Sequence, residues 1–176
     1  PWLAQPLADA LARGRSHALL LHAAPGNGAL AFAFALAQSL LCDAPQTGGL
    51  ACGRCAACRR VVSRGHADLF VLLPEVQRRA SGWLLAEDKE EQKDKKPSRQ
   101  IRIDEVRALI DWTQRTSALG RGKVALLHPA EAMNEASASA LLKTLEEPPA
   151  GTRLLLTAAD PAALLPTVLS RCQRLV

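Results

Sequence analysis

Four short apolar runs dominate the chain: His17–Leu21 (HALLL), Asp68–Leu73 (DLFVLL), Lys123–His128 (KVALLH) and Thr152–Thr157 (TRLLLT). Each is too short for a helix, and its apolar residues are consecutive rather than alternating. That is the mark of a strand buried on both faces. Helical stretches separate the runs. Ala29–Leu41 is rich in Ala and Leu, and Arg59–Ser63 is basic. Ile101–Gln114 carries Ile103, Val106, Ile110 and Thr113 at helical spacing, with Asp104 as the expected N-cap. Asn134–Leu145 is stopped by Pro148-Pro149, and Asp160–Leu169 reads as one short helix entered at Pro161. Strands alternating with helices predict an α/β fold, a parallel sheet with helices on both faces, in one domain across 1–176.

Composition limits how such a core is built. The chain has 176 residues, is 48% hydrophobic and only 3% aromatic, and has no Tyr, so Leu, Ala and Val must fill the interior. The net charge of +5 is compatible with an acidic partner and demonstrates none. Arg13 and Arg15 followed by Ala18–Ala37 imitate a secretory signal, but His22 and Pro25-Gly26-Asn27-Gly28 interrupt the apolar stretch. No uninterrupted run reaches the roughly 18 residues of a membrane span, so a cytoplasmic protein without membrane partners is expected. The chain starts at Pro1 and stops within Gln173-Arg174-Leu175-Val176, so it is expected to be a fragment. Gln77–Gln100, with Glu87-Asp88-Lys89-Glu90-Glu91, lacks a periodic apolar face and is expected to be a mobile surface insert.

Cys42, Cys52, Cys55 and Cys58 follow the pattern C-x9-C-x2-C-x2-C, which suits a tetrahedral tetrathiolate zinc site over about 42–58. Disulfides belong to secreted chains, and a redox Cys-x-x-Cys needs only two thiols. Four thiolates leave no open position for water, so the expected zinc is structural. Cys172 is distant and expected to be an ordinary buried thiol.

The turn after the first run occupies the place of a phosphate loop, G-x-x-x-x-G-K-[ST]. The matching residues are Ala23-Ala24-Pro25-Gly26-Asn27-Gly28-Ala29-Leu30. Gly26, Asn27 and Gly28 make the turn, but Ala29 stands at the lysine position and Leu30 at the hydroxyl position. At the end of the third run, where a magnesium-binding Asp and a catalytic Glu belong, stand His128 and Pro129. Both halves of a hydrolytic site are therefore missing.

Further motifs complete a pattern: Ser16-His17-Ala18-Leu19-Leu20-Leu21, Ala130-Glu131-Ala132-Met133-Asn134, Leu141-Leu142-Lys143-Thr144-Leu145-Glu146-Glu147-Pro148-Pro149, and Leu169-Ser170-Arg171-Cys172. With the cysteine segment they span nearly the whole chain. The sequence resembles the clamp-loader branch of the AAA+ ATPases, and within it the delta-prime family of bacterial DNA polymerase III. The motor sibling of that branch keeps the Lys, Thr, Asp and Glu, so Ala29, Leu30, His128 and Pro129 set this chain apart. The resemblance implies a P-loop NTPase-like domain that hydrolyses no ATP and is not an enzyme on its own. It also implies lid and collar domains beyond Val176, and a role in loading the sliding clamp onto primed DNA. The implied partners are the gamma/tau motor subunits, the delta subunit, the clamp and DNA. Arg171, with Ser170 and Cys172, is implied to be an arginine finger acting on a neighbour's nucleotide.

Two other functions compete. An active gamma/tau-like motor would need a lysine at Ala29. A zinc-dependent nucleic-acid module would use Arg54, Arg59, Arg60 and Arg64, but no aromatic lies between Cys42 and Cys58 for stacking. These arginines are expected to be a solvated face. Leu141, Leu142 and Leu145 are expected in the core, with Lys143, Glu146 and Glu147 on an exposed inter-subunit face. His17, His22, His66 and His128 are expected to be structural, and Thr157 occupies the place of a γ-phosphate sensor.

Overall fold

The computed structural model describes residues 4–13, 16–24, 26–83 and 96–175. Strands β1 (Ala18–His22), β2 (Leu69–Leu72), β3 (Lys123–Leu127), β4 (Thr152–Ala158) and β5 (Gln173–Leu175) form one sheet. Their spatial order is β2-β3-β4-β1-β5, and every pairing is parallel. Helices α1 (Ala4–Arg13), α2 (Ala29–Leu41), α3 (Ala56–Val62), α4 (Glu75–Ser81), α5 (Ile103–Gln114), α6 (Glu135–Glu146) and α7 (Pro166–Leu169) surround it.

The four inner strand runs are rich in Leu, Val and Ala because both sheet faces are covered. Leu20, Leu72, Leu127, Leu154 and Leu156 point to one side, where Val106 and Leu109 of α5 and Leu141 and Leu145 of α6 close the core. Leu19, Leu21, Val71, Leu126 and Leu155 point to the other, against Leu7 and Ala10 of α1, Leu36 and Leu41 of α2, and Val61 of α3. This is the predicted parallel sheet with helices on both faces.

Several local expectations are corrected. The helix expected from Ile101 begins at Ile103, and the N-cap position is Arg102 rather than Asp104, which lies in the first turn. Glu105 fixes that start by accepting the Arg102 backbone N–H at 2.6 Å. The single helix expected over Asp160–Leu169 is broken into a 3-10 turn, Pro161–Ala163, and α7. Pro166 causes the break: the residue before a proline is pushed out of the helical region, and Leu165 sits at φ −57°, ψ 134°. Helix α1 and edge strand β5 had no sequence expectation. Where β3 begins, Gly122 at φ +91° lies so close to Gly151 that a Cβ there would stand 2.5 Å from the Gly151 carbonyl oxygen, so only glycine fits.

The insert expected over 77–100 is ordered at both ends. Residues 77–81 belong to α4, whose Arg78 is only 1% exposed and donates from Nη1 to the Leu73 carbonyl and to Glu105 Oε1, both at 2.6 Å. Glu75 accepts the Ser98 backbone N–H at 3.0 Å. A helix pinned by buried charge shows no apolar period, which is why this one reads as a loop. Residues 84–95, with the Glu87–Glu91 charge run, lie outside the described residues.

Candidate functional site: an uncharged cleft, a cysteine cage and a distal arginine

The chain leaves β1 toward one edge of the sheet and leaves β4 toward the other. Adjacent parallel strands whose connections diverge open a crevice at their carboxyl ends, where ligands bind in open α/β sheets. A cleft of about 280 Å³ lies there, lined by Gly26, Gly28, Ala29, Leu30, His128, Pro129 and Thr157 among others. Gly26 and Gly28 have φ of 85° and 75°, the left-handed turn that glycine permits, and Gly28 caps α2. The main chain is thus shaped for an anion at a helix N-terminus. The side chains are not: no Lys, Arg, Asp or Glu lines the cleft among the described residues.

His128 and Thr157 close the cleft between the ends of β3 and β4. His128 Nδ1 lies 2.5 Å from Thr157 Oγ1. Burial pushes the His128 pKa down, against the pull of Glu131, so the imidazole is neutral and brings no charge. Thr157, expected at a sensor position, is buried and spends its hydroxyl on this histidine. Sequence reading missed Glu131. Its Oε1 accepts the backbone N–H groups of Ala159 and Asp160, the latter at 2.8 Å, and so ties the loop after β4 to the turn after β3.

The four cysteines meet where α2 ends and α3 begins. Cys42 is the C-cap of α2 and Cys55 the N-cap of α3. All four Sγ atoms lie within 4.8 Å of one another, and Cys42 and Cys55 are 3.9 Å apart. Sulfurs on a tetrahedral zinc with ~2.3 Å bonds stand about 3.8 Å apart, so the cage is close to the size of such a site. Backbone N–H groups of Cys52, Cys55 and Cys58 point at the sulfurs of Cys42, Cys52 and Cys55 at 3.3–3.4 Å. Those bonds favour thiolates: Cys52 is lowered to about 6, first by backbone hydrogen bonds, while burial raises Cys58 to about 12. A bound cation stabilises the buried thiolate. The cluster can therefore hold a metal ion. Arg121 Nε donates to the Cys42 carbonyl at 3.0 Å and joins the cage to the loop before β3, a contact 79 residues apart in sequence.

Arg171 is elsewhere. It follows α7 and precedes β5, and Gln173 pairs with Leu19 near the start of β1. At about 3.3 Å per strand residue, Arg171 is on the order of 15–20 Å from its own cleft, at the opposite end of the sheet. Its side chain is 30% exposed and its Nε donates to Glu146 Oε1 at 2.7 Å. Cys172, expected to be a buried thiol, is only half-buried and packs against the margin of the core. His17 contributes structure, its Nε2 bonding the Leu145 carbonyl at 2.7 Å, and His66 is buried with its Nδ1 accepting the Asp68 N–H at 3.1 Å.

Comparisons with known proteins agree with this architecture. The sequence model of the family described as "DNA polymerase III, delta subunit" matches residues 2–176. The chain is 44% identical over 157 residues to the DNA polymerase III subunit delta' of Pseudomonas aeruginosa, covering 89% of this chain and 42% of that protein. It is 36% identical over 177 residues to the Escherichia coli subunit delta', covering 98% and 47%. The Salmonella typhimurium subunit tau is 33% identical over 167 residues, covering 94% and 22%. A gamma subunit-related protein of DNA polymerase III from Thermotoga maritima shares the fold, with a TM-score of 0.58 and 19% identity, covering 97% of this chain and 44% of that one. The chain spans less than half the length of these relatives.

Fold and cleft together define a parallel α/β domain whose crevice, at the carboxyl ends of its strands, is lined by no Lys, Arg, Asp or Glu among the described residues. Within that class, the chain belongs to the DNA polymerase III delta-prime family.

Proposed function

We propose that this chain is the nucleotide-fold domain of a clamp-loader subunit that hydrolyses no ATP and presents Arg171 in trans to the nucleotide of a neighbouring motor subunit. The observation that carries this reading is the separation of the two features. The cleft holds Ala29, Leu30, a neutral His128 and Pro129, while the arginine sits at the far end of the sheet. An arginine that cannot reach its own cleft acts only on another chain's. A guanidinium is permanently charged and can bridge two phosphate oxygens, and a finger of this kind is worth roughly 10³ to 10⁵ in rate, or about 4 to 7 kcal/mol of barrier.

In this reading the partners are the gamma/tau motor subunits and the delta subunit. Through them the complex, in the cytoplasm, loads the sliding clamp onto primed DNA during replication. Zinc in the cysteine cage braces the end of α2 and takes no part in chemistry. An active motor is the second class of function, and it is opposed by the uncharged lining of the cleft.

The test uses the full-length subunit. Alone it is expected to show no ATP turnover that follows the protein peak, and Ala29→Lys with Leu30→Thr is not expected to restore any while His128 and Pro129 remain. Assembled with wild-type motor subunits, Arg171→Ala is expected to form a normal complex with partly reduced ATPase and more strongly reduced clamp loading. Wild-type rates for both would make Arg171 a surface residue and end the proposal.

A further inference from the structure

Resting on the trans-acting role of Arg171, we propose that Glu146 is the positioning residue of that arginine. Its carboxylate grips one edge of the guanidinium and turns another edge toward the neighbouring subunit's γ-phosphate. Nε and Nη2 of Arg171 both donate to Glu146 Oε1, the former at 2.7 Å. Nη1 donates to the Thr167 carbonyl at 2.8 Å and more weakly to Ser170 Oγ at 3.3 Å. A guanidinium has five N–H donors. After these contacts one N–H on Nη2 has no partner among the described residues, and the long Ser170 contact is the easiest to exchange. The edge between Nη1 and Nη2 is therefore the one available to two phosphate oxygens, while Glu146 and Thr167 hold the rest in place.

The location of Glu146 supports the assignment. It occupies the last turn of α6, where the helix dipole disfavours a carboxylate. Helix formation gives no reason for an acid there, and among the described residues its carboxylate bonds Arg171 alone. Arg171 is 30% exposed and Glu146 48%, so the pair lies at the surface and can face another subunit. Thr167 and Ser170 belong to α7 and its C-cap, so the rigid scaffold that aims Arg171 is built from α6 and α7 together.

The experiment uses the full-length subunit in a complete loader in which only the adjoining motor subunit keeps its phosphate-loop lysine. ATP hydrolysis is measured for wild type, Arg171→Ala, Glu146→Ala, Glu146→Gln and Glu146→Asp, with melting temperature and assembly as controls. A misplacement of about 1 Å costs up to about 100-fold. Glu146→Ala is therefore expected to lower kcat by about 10- to 100-fold, with the KM for ATP unchanged and melting no lower. Gln keeps an oxygen at the same reach and is expected to recover most of the loss, while Asp keeps the charge but withdraws the oxygen and is not. Glu146→Ala at the wild-type kcat, with Arg171→Ala impaired, overturns the positioning role and leaves the finger standing. Asp at the wild-type rate ties the effect to charge rather than placement and overturns it too. A Glu146→Ala loader faster than wild type makes Glu146 a restraint, again overturning it. If Arg171→Ala itself hydrolyses normally, the finger fails and the positioning role with it.

Discussion

His128 Nδ1 and Thr157 Oγ1 meet at 2.5 Å across the carboxyl ends of β3 and β4, closing the cleft with a neutral pair. Burial holds the His128 pKa below the ordinary histidine value near 6.5, and His66 is lowered by the same cause. Between the folded value and about 6.5 the unfolded chain binds more protons, so stability rises with pH there. The contribution is complete above about pH 6.5 and is lost as pH falls toward and through the folded value. The melting temperature is therefore expected to drop between about pH 7.5 and about pH 5.5, and His128→Asn is expected to reduce that drop. Equal pH dependence in the variant and the wild type would contradict the buried neutral assignment.

The cysteine cage predicts about one equivalent of zinc per chain in protein purified without added metal. Zinc is worth on the order of 10 kcal/mol in isolated finger peptides. Here the sheet is built separately, so chelation is expected to loosen residues 42–58 while the sheet persists. Hydrogen exchange and thiol titration check this: the four cage thiols become reactive and Cys172, which packs against the core, stays slow. Less than about a tenth of an equivalent of any metal, with the four thiols already reactive, would refute the cage.

Arg78 is expected to be a stability residue. It is 1% exposed, and its Nη1 contacts Glu105 Oε1 at 2.6 Å. Breaking a buried pair by removing one partner costs about 3–5 kcal/mol because the other charge stays buried. Arg78→Ala is therefore expected to lose that much in urea unfolding. Arg78→Met with Glu105→Leu is expected to recover a large part, since both charges are then gone. A loss below about 1 kcal/mol for Arg78→Ala would show that α4 is not part of the cooperative core.

The legible parts of the chain were those whose signal is local. Four strands appeared as unbroken apolar runs because both faces of the sheet are covered, and the cage appeared because its thiols fall within 17 residues, Cys42 to Cys58. Strand β5 was missed because Gln173-Arg174-Leu175 lies at the sheet edge, pairs only with β1, and leaves Arg174 exposed. Helix α1 carries a helical apolar spacing, with Leu7 and Ala10 buried and Leu11 packed beside them, that the sequence expectations did not take up. Helix α4 was hidden because buried Arg78 and Glu75, rather than leucines, fasten it.

By itself the sequence determined that a parallel α/β sheet forms, that β1 feeds a glycine turn and a helix, that four thiols can share one ion, and that the cleft lacks its lysine, hydroxyl and carboxylates. These follow from residue type and short spacing. Only the tertiary structure decided that β1 lies between β4 and β5, that His128 reaches Thr157, that Arg121 braces Cys42, and that Glu146 grips Arg171 at the end of the sheet away from the cleft. Those partners are 25 or more residues apart, and a carboxylate in a helix-ending turn carries no local sign of which cation the folded chain will bring to it.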